Sequence, residues 1–161
     1  MTLSSFNNGG GGVFIDAPDS VKIVATGTTF NQVVGGSSNT IVAACTVCDG
    51  GVFNIITAIG VVDLTLTDCS VSQNQAAIGK GGFIAVPDTS TDSTFTIAAS
   101  APAKTSSFIT NTAKTSGGLF YIGGTGAKVL TLEDTSVDRA KATTGSGGIA
   151  YMAGVSSKVT V

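Results

Sequence analysis

A glycine pair followed by an apolar run recurs five times along the chain. Gly11-Gly12 leads into Val13-Phe14-Ile15, Gly50-Gly51 into Val52-Phe53, and Gly81-Gly82 into Phe83-Ile84. Gly117-Gly118 leads into Leu119-Phe120, and Gly147-Gly148 into Ile149-Ala150. The steps are 39, 31, 36 and 30 residues. A repeat in this range is the mark of a solenoid or array, because one such unit cannot bury its apolar face alone. Five-fold recurrence also settles how the glycines are read. They are tight corners that need positive φ, not a phosphate-cradling loop.

A second motif follows inside each repeat. Val62-Asp63-Leu64-Thr65-Leu66-Thr67-Asp68-Cys69-Ser70-Val71 aligns with Lys128-Val129-Leu130-Thr131-Leu132-Glu133-Asp134-Thr135-Ser136-Val137. Val21 to Phe30 is a weaker copy. In the third repeat Phe95-Thr96-Ile97 is the strand, and an insertion carrying Pro102 delays the Ser107-Phe108 ending. An asparagine stands three residues after the apolar anchor in Val71…Asn74 and Phe108…Asn111. Short runs rich in Val, Ile, Phe and Thr, broken by Gly, Asp, Asn and Ser, read as strands and turns. The expectation is an all-β right-handed parallel β-helix of about five coils with three short strands each, residues 1–161 forming a single module.

The glycine-pair and Ser-Phe-x-x-Asn elements resemble the repeats of polymorphic outer-membrane-protein passengers and related giant surface β-helix proteins. The matching pieces are Gly50-Gly51-Val52-Phe53, Gly81-Gly82-Phe83-Ile84, Gly117-Gly118-Leu119-Phe120 and Phe108-Ile109-Thr110-Asn111. The family favours a small residue after the glycine pair, where this chain has Val, Phe, Leu or Ile.

Composition excludes several functions. Charged residues are 11% of the chain, net charge is −2, and histidine and tryptophan are absent. With one arginine, Arg139, and scattered lysines, the basic footprint of nucleic-acid binding is missing. No apolar stretch has the length of a membrane-spanning helix. No cofactor is expected. Cys45-Thr46-Val47-Cys48 has CxxC spacing, but without histidine or a second pair it leaves a Cys45–Cys48 disulfide or buried thiols, not a metal centre. Cys69 takes the repeat position of Thr135. Asp68 and Asp134 share a repeat position, and their Asp-x-Ser context reads as turn chemistry, not as a carboxylate pair for glycan cleavage. The chain is therefore read as non-enzymatic, with a polysaccharide lyase or hydrolase kept as an alternative.

Two surfaces are expected to matter. Strand alternation places Val13, Val52, Phe83, Leu119 and Ile149, with Tyr121 and Tyr151, outward as an apolar lateral interface. At the ends, Lys158-Val159-Thr160-Val161 aligns with Lys128 to Thr131, and Leu3 and Phe6 would complete a coil begun by Val159 and Val161. Uncapped β-helix ends are open strand edges. These features predict a structural subunit of an extracellular or cell-surface filament, a head-to-tail homopolymer. The alternative is a passenger fragment of a surface adhesin.

Overall fold

The structure is a computed structural model and describes residues 13–15, 19–31, 34–35, 49–55 and 60–161. Leu3, Phe6, Gly11, Gly12, Cys45 and Cys48 lie outside the described residues.

Every described element is a strand. In chain order these are β1 (Val13–Ile15), β2 (Val21–Thr26), β3 (Thr29–Asn31), β4 (Val34–Gly35), β5 (Phe53–Ile55), β6 (Val62–Thr67), β7 (Ser70–Ser72), β8 (Gln75–Ala76) and β9 (Ile84–Val86). They continue with β10 (Ser93–Ala98), β11 (Ser106–Ile109), β12 (Thr112–Ala113), β13 (Phe120–Ile122), β14 (Ala127–Leu132), β15 (Thr135–Asp138), β16 (Lys141–Ala142), β17 (Ala150–Met152) and β18 (Ser156–Thr160). All pairing is parallel, and each strand pairs with its counterpart one repeat away. The first sheet runs β1-β5-β9-β13-β17 and the second β18-β14-β10-β6-β2; the third is β15-β11-β7-β3 and the fourth β16-β12-β8-β4. The chain is an all-β solenoid of stacked parallel sheets. It differs from the expected three strands per coil by a fourth, two-residue strand after the asparagine.

The repeat alignment is realised in the second sheet. Val62 and Lys128 both pair with Ser93, and Leu64 and Leu130 both with Phe95. Two registers shift by one residue. Val13, not Phe14, pairs with Phe53. In the run Gly9 to Gly12 the glycine pair can be counted at Gly10-Gly11, which gives Val13 the place of Phe53. At the other end Val159 pairs with Leu130, and Lys158 with Val129. The turn between Met152 and β18 is one residue shorter than that between Ile122 and β14.

The corners follow from the glycines. Gly50, Gly81, Gly117 and Gly147 have φ of 69°, 67°, 64° and 75°, a region that side chains disfavour. The second glycine of each pair is needed for a different reason. A Cβ on Gly51 would lie 1.9 Å from the Gly82 carbonyl oxygen, on Gly82 2.2 Å from that of Gly118, and on Gly118 2.1 Å from that of Gly148. The glycines thus stack on one another, and the coils close to strand distance only because no side chain intervenes.

This corner overturns the expected lateral wall. Val52, Phe83 and Leu119 are completely buried, as are Ile84 and Phe120. Strand alternation holds only from the residue after them, and the glycine bend turns the corner residue back into the core. Phe83 sits among the rings of Phe30, Phe53, Phe108 and Phe120, at centroid distances of 5.3, 5.5, 6.2 and 6.4 Å, all edge-on. Such pairs add about 0.5–1.5 kcal/mol each beyond burial. Val13 is part-buried against the core. Ile149 is 42% exposed, but only because it belongs to the last coil.

A buried polar ladder runs beside the aromatic column. Asn74 Nδ2 donates to Asn111 Oδ1 (3.0 Å) and to the Phe30 carbonyl (3.1 Å), and Asn111 Nδ2 donates to the Val71 carbonyl (2.9 Å). Both asparagines are fully buried. The residues before them, Gln73 and Thr110, have φ of 56° and 54°. This turn directs each amide along the axis, where it satisfies main-chain groups that the sharp bend leaves without a sheet partner.

Candidate functional site

Two features stand out on the solenoid: the end formed by its last two strands and a cleft on its side.

The end is formed by β17 and β18. Among the described residues, β18 pairs with β14 alone, so its other edge is free. It continues the columns below it. Ile23, Leu64, Phe95, Leu130 and Val159 form one register line across the second sheet. Leu64, Phe95 and Leu130 are at most 1% exposed, whereas Val159 is 55% exposed. Val155 and Val161 are 88% and 93% exposed. Gly148 repeats the trend: a Cβ there would meet only the Ala140 carbonyl oxygen, at 3.4 Å. Of the predicted end residues, Val159 and Val161 are therefore placed together at an open apolar edge.

The cleft lies over the first sheet, has a volume of about 240 Å³, and is lined by Asp49, Asn54, Ile55, Lys80, Ala85, Val86, Pro87, Asp88 and Tyr121. Its floor is the outward register line Asn54, Ala85, Tyr121, which Tyr151 continues beyond the cleft. One wall comes from the residue preceding each glycine pair, Asp49 in one coil and Lys80 in the next. The other is the turn Pro87-Asp88 after β9. Asp49 Oδ1 accepts the Lys80 amide proton (2.7 Å). Lys80 Nζ donates to Tyr121 Oη (2.9 Å) and Asp88 Oδ2 (3.4 Å), and Tyr121 donates to Asp88 Oδ1 (2.7 Å). The ammonium also lies 4.1 Å from the Tyr121 ring centre, a cation–π contact. Tyr151 stacks on the same ring, 5.2 Å away and parallel.

Burial raises the Asp49 carboxyl above the usual 3.8, only partly offset by Lys80. Burial pulls the Lys80 ammonium down, but Tyr121, Asp88 and Asp49 outweigh it and the net shift is upward. Tyr121 is raised, first by burial, with Lys80 pulling back and the bond to Asp88 adding to the rise. Asn54 is 6% exposed. It lines the cleft.

Sequence reading found the outward positions of Tyr121 and Tyr151 but missed Asp49, Lys80 and Asp88. The available signal was opposite charge at one repeat position, Asp-Gly-Gly against Lys-Gly-Gly.

The remaining candidates are structural. Asp68 and Asp134 occupy αL turns (φ 54° and 46°) with Gly27 (58°) at the equivalent place. Asp68 accepts from the Ser100 amide (2.9 Å), the Ser100 hydroxyl (2.6 Å) and Lys104 Nζ (3.1 Å), tying down the insertion of the next coil. Cys69 is buried, and its thiol donates to the Thr67 carbonyl two residues back, as the Thr135 hydroxyl donates to that of Glu133. Among the described residues, no group of three His, Cys, Asp or Glu side chains could hold a metal ion, and no helix is long and apolar enough to cross a membrane.

Lys128 is the unexpected core residue. It occupies the column of Val21 and Val62, fully covered, with Nζ donating to the Thr91 carbonyl. Gly124 and Gly154 make room for it: a Cβ on either would press on the lysine chain. Burial lowers its ammonium from the usual 10.5, with Asp92 opposing.

In comparisons with family models, curated proteins and solved structures, the chain matches none.

Proposed function

We propose that this chain is a structural module, a right-handed β-solenoid of about five coils, that works by stacking end to end in an extracellular filament or surface fibre. The carrying observation is the end formed by β18: among the described residues it pairs with β14 alone, Val159 continues an apolar register line into solvent, and Val161 is exposed just beyond it. An edge of unpaired main-chain groups beside exposed apolar side chains is a template for another strand. A second copy laid on it makes a heterologous contact that does not close on itself, so repetition gives a fibre. Right-handedness rests on the general preference of parallel crossovers, and the coil number on the five strands of the first two sheets. Assembly is axial, since the corner residues once read as a lateral wall are core.

A second reading is favoured by the same end. As a passenger segment of a surface adhesin, the module would have this edge covered by the next coil of a longer chain. The stacked Gly-Gly corners and the Phe108…Asn111 ladder, the motifs behind the family resemblance, support either arrangement. Negative-stain imaging of the purified 161-residue chain separates them. Fibres one solenoid wide are expected from self-stacking. Isolated particles at all concentrations would remove the filament reading.

A further inference from the structure

Stacking needs a receiving strand on the next copy, and the second sheet supplies one at its other edge. Among the described residues, β18 pairs only with β14 and β2 only with β6. The smallest step between paired strands of this sheet, Ala127 to Ser156, is 29 residues, whereas 20 residues precede Val21. By repeat spacing, the strand beneath β2 therefore lies outside residues 1–161.

The main-chain groups at the two edges are complementary. In this sheet inward residues bond to the following coil and outward residues to the preceding one. Val21 N donates to the Val61 carbonyl, Val62 N to that of Asp92, and Glu133 N to that of Ile97. The alternation of a parallel ladder then turns the N–H and C=O of Val159 to the open side of β18, and those of Lys22 and Val24 to the open side of β2. With the two edges laid together, Val159 N donates to the Lys22 carbonyl and Val24 N to that of Val159, as in every internal pair. A slip of one residue would turn Val159 out of the core and Lys158 in. Ile23 is part-buried against the core at one end of the register line and Val159 is 55% exposed at the other, so the in-register contact continues one apolar column from copy to copy.

The outward line beside that column is Lys22, Asp63, Thr94, Val129, Lys158. Within one molecule it sets no like charges on adjacent strands. In-register stacking puts Lys158 of one copy beside Lys22 of the next, at the strand spacing of about 4.8 Å. Both residues are exposed, and like charges directly opposite each other destabilise a strand pair. Asp63 stands one strand further on and offsets only part of the repulsion.

Resting on the stacking reading, we propose that β18 of one copy receives β2 of the next with Val159 opposite Ile23, and that the Lys158–Lys22 contact makes this joint salt-gated. It closes when ions screen the two ammonium groups and opens at low ionic strength.

The register is tested by oxidising K22C/K158C and K22C/T160C. In one molecule positions 22 and 158 are four strand steps apart, about 19 Å, whereas a disulfide needs Cα atoms within about 7 Å. Between copies they are direct neighbours, and positions 22 and 160 are diagonal ones at about 7–8 Å. K22C/K158C should give a reducible ladder of oligomers with peptides joined at 22 and 158, which sets it apart from links through the native cysteines. K22C/T160C should not link at those positions. The gate is tested by light scattering at fixed concentration. Wild-type mass should rise between about 0.01 M and about 0.15 M salt, as the Debye length falls from about 30 Å to about 8 Å. K158E should assemble at low salt at a concentration about three- to tenfold below wild type, and added salt should weaken it. That reversal separates charge from a general effect of salt on apolar surface, and thermal melts establish that each variant folds. A polymer linked at 22 and 160, or at neither pair, overturns the register. A wild-type mass that falls with salt, or a folded K158E that assembles no better than wild type at low salt, overturns the gate. In those cases the chain still stacks and the filament reading stands. A chain that stays monomeric at every salt concentration removes that reading and this joint with it.

Discussion

Gly82 and Gly148 hold the same position two repeats apart, yet alanine should have opposite consequences at the two. At Gly82 the new Cβ would lie 2.2 Å from the Gly118 carbonyl oxygen and 2.6 Å from that of Thr112. Both are far inside a van der Waals contact of about 3.5 Å. The obstacles are main chain, so no rotamer change relieves them. The coils must separate locally, straining the bonds from Gly82 N to Gly117 O (3.3 Å) and from Phe83 N to Leu119 O (2.9 Å). At about 1 kcal/mol for each bond, plus part of the penalty for burying them unmade, G82A should cost about 3 kcal/mol. For a domain of this size that is a fall in Tm of about 10 °C. At Gly148 the only neighbour is the Ala140 carbonyl oxygen at 3.4 Å, ordinary contact, so G148A should leave Tm within about 1 °C of wild type. If another copy stacks on this end, however, Gly148 takes the place that Gly82 has in the interior. G148A should then block assembly without touching the monomer. Differential scanning calorimetry and light scattering on both variants check the pair. Equal destabilisation by the two substitutions would refute the reasoning that axial backbone contact is what requires the second glycine.

Other outcomes follow from the same geometry. F83A should cost about 4 kcal/mol in denaturant unfolding, because Phe83 is at the centre of the aromatic column; a near-neutral effect would return it to the surface. N111A strands the Asn74 amide groups and the Val71 carbonyl and should cost about 3 kcal/mol by the same assay. The Ser100 hydroxyl, its amide and Lys104 hold the Asp68 carboxyl below the usual 3.8. The folded value is the lower one, so the contribution of this contact is present above pH 3.8 and is lost as pH falls through the folded value. The Ser100 amide resonance should therefore titrate below pH 3.8 in wild type and stay flat in D68N.

Much of this fold was legible because the repeat itself carries the information. The Leu-x-Leu alignment, the glycine corners and the asparagine spacing all reappear as register lines. The facing of the corner residues was not legible. Alternation is a property of strands, and a glycine at positive φ resets it, so Val52, Phe83 and Leu119 reverse direction although they touch a strand in sequence. The one-residue shifts at Val13 and Lys158 arise where a glycine run offers two ways of counting and where a turn loses a residue. Lys128 passes for a surface lysine in any linear reading; only the covering turns and the room left by Gly124 and Gly154 make it a core residue. The cleft was hidden for a related reason. Asp49, Lys80, Asp88 and Tyr121 are drawn from three successive repeats, and the turn length after β9 decides that Asp88 reaches Lys80 and Tyr121.

The stacking account is tested most directly by multi-angle light scattering of the chain over a rising concentration series, beside V159K. The account predicts a mass for wild type that climbs from 15.8 kDa without reaching a closed oligomer, and a V159K that stays at the monomer mass with an unchanged melt. A wild type that holds 15.8 kDa at every concentration, or a V159K that polymerises equally well, would contradict it.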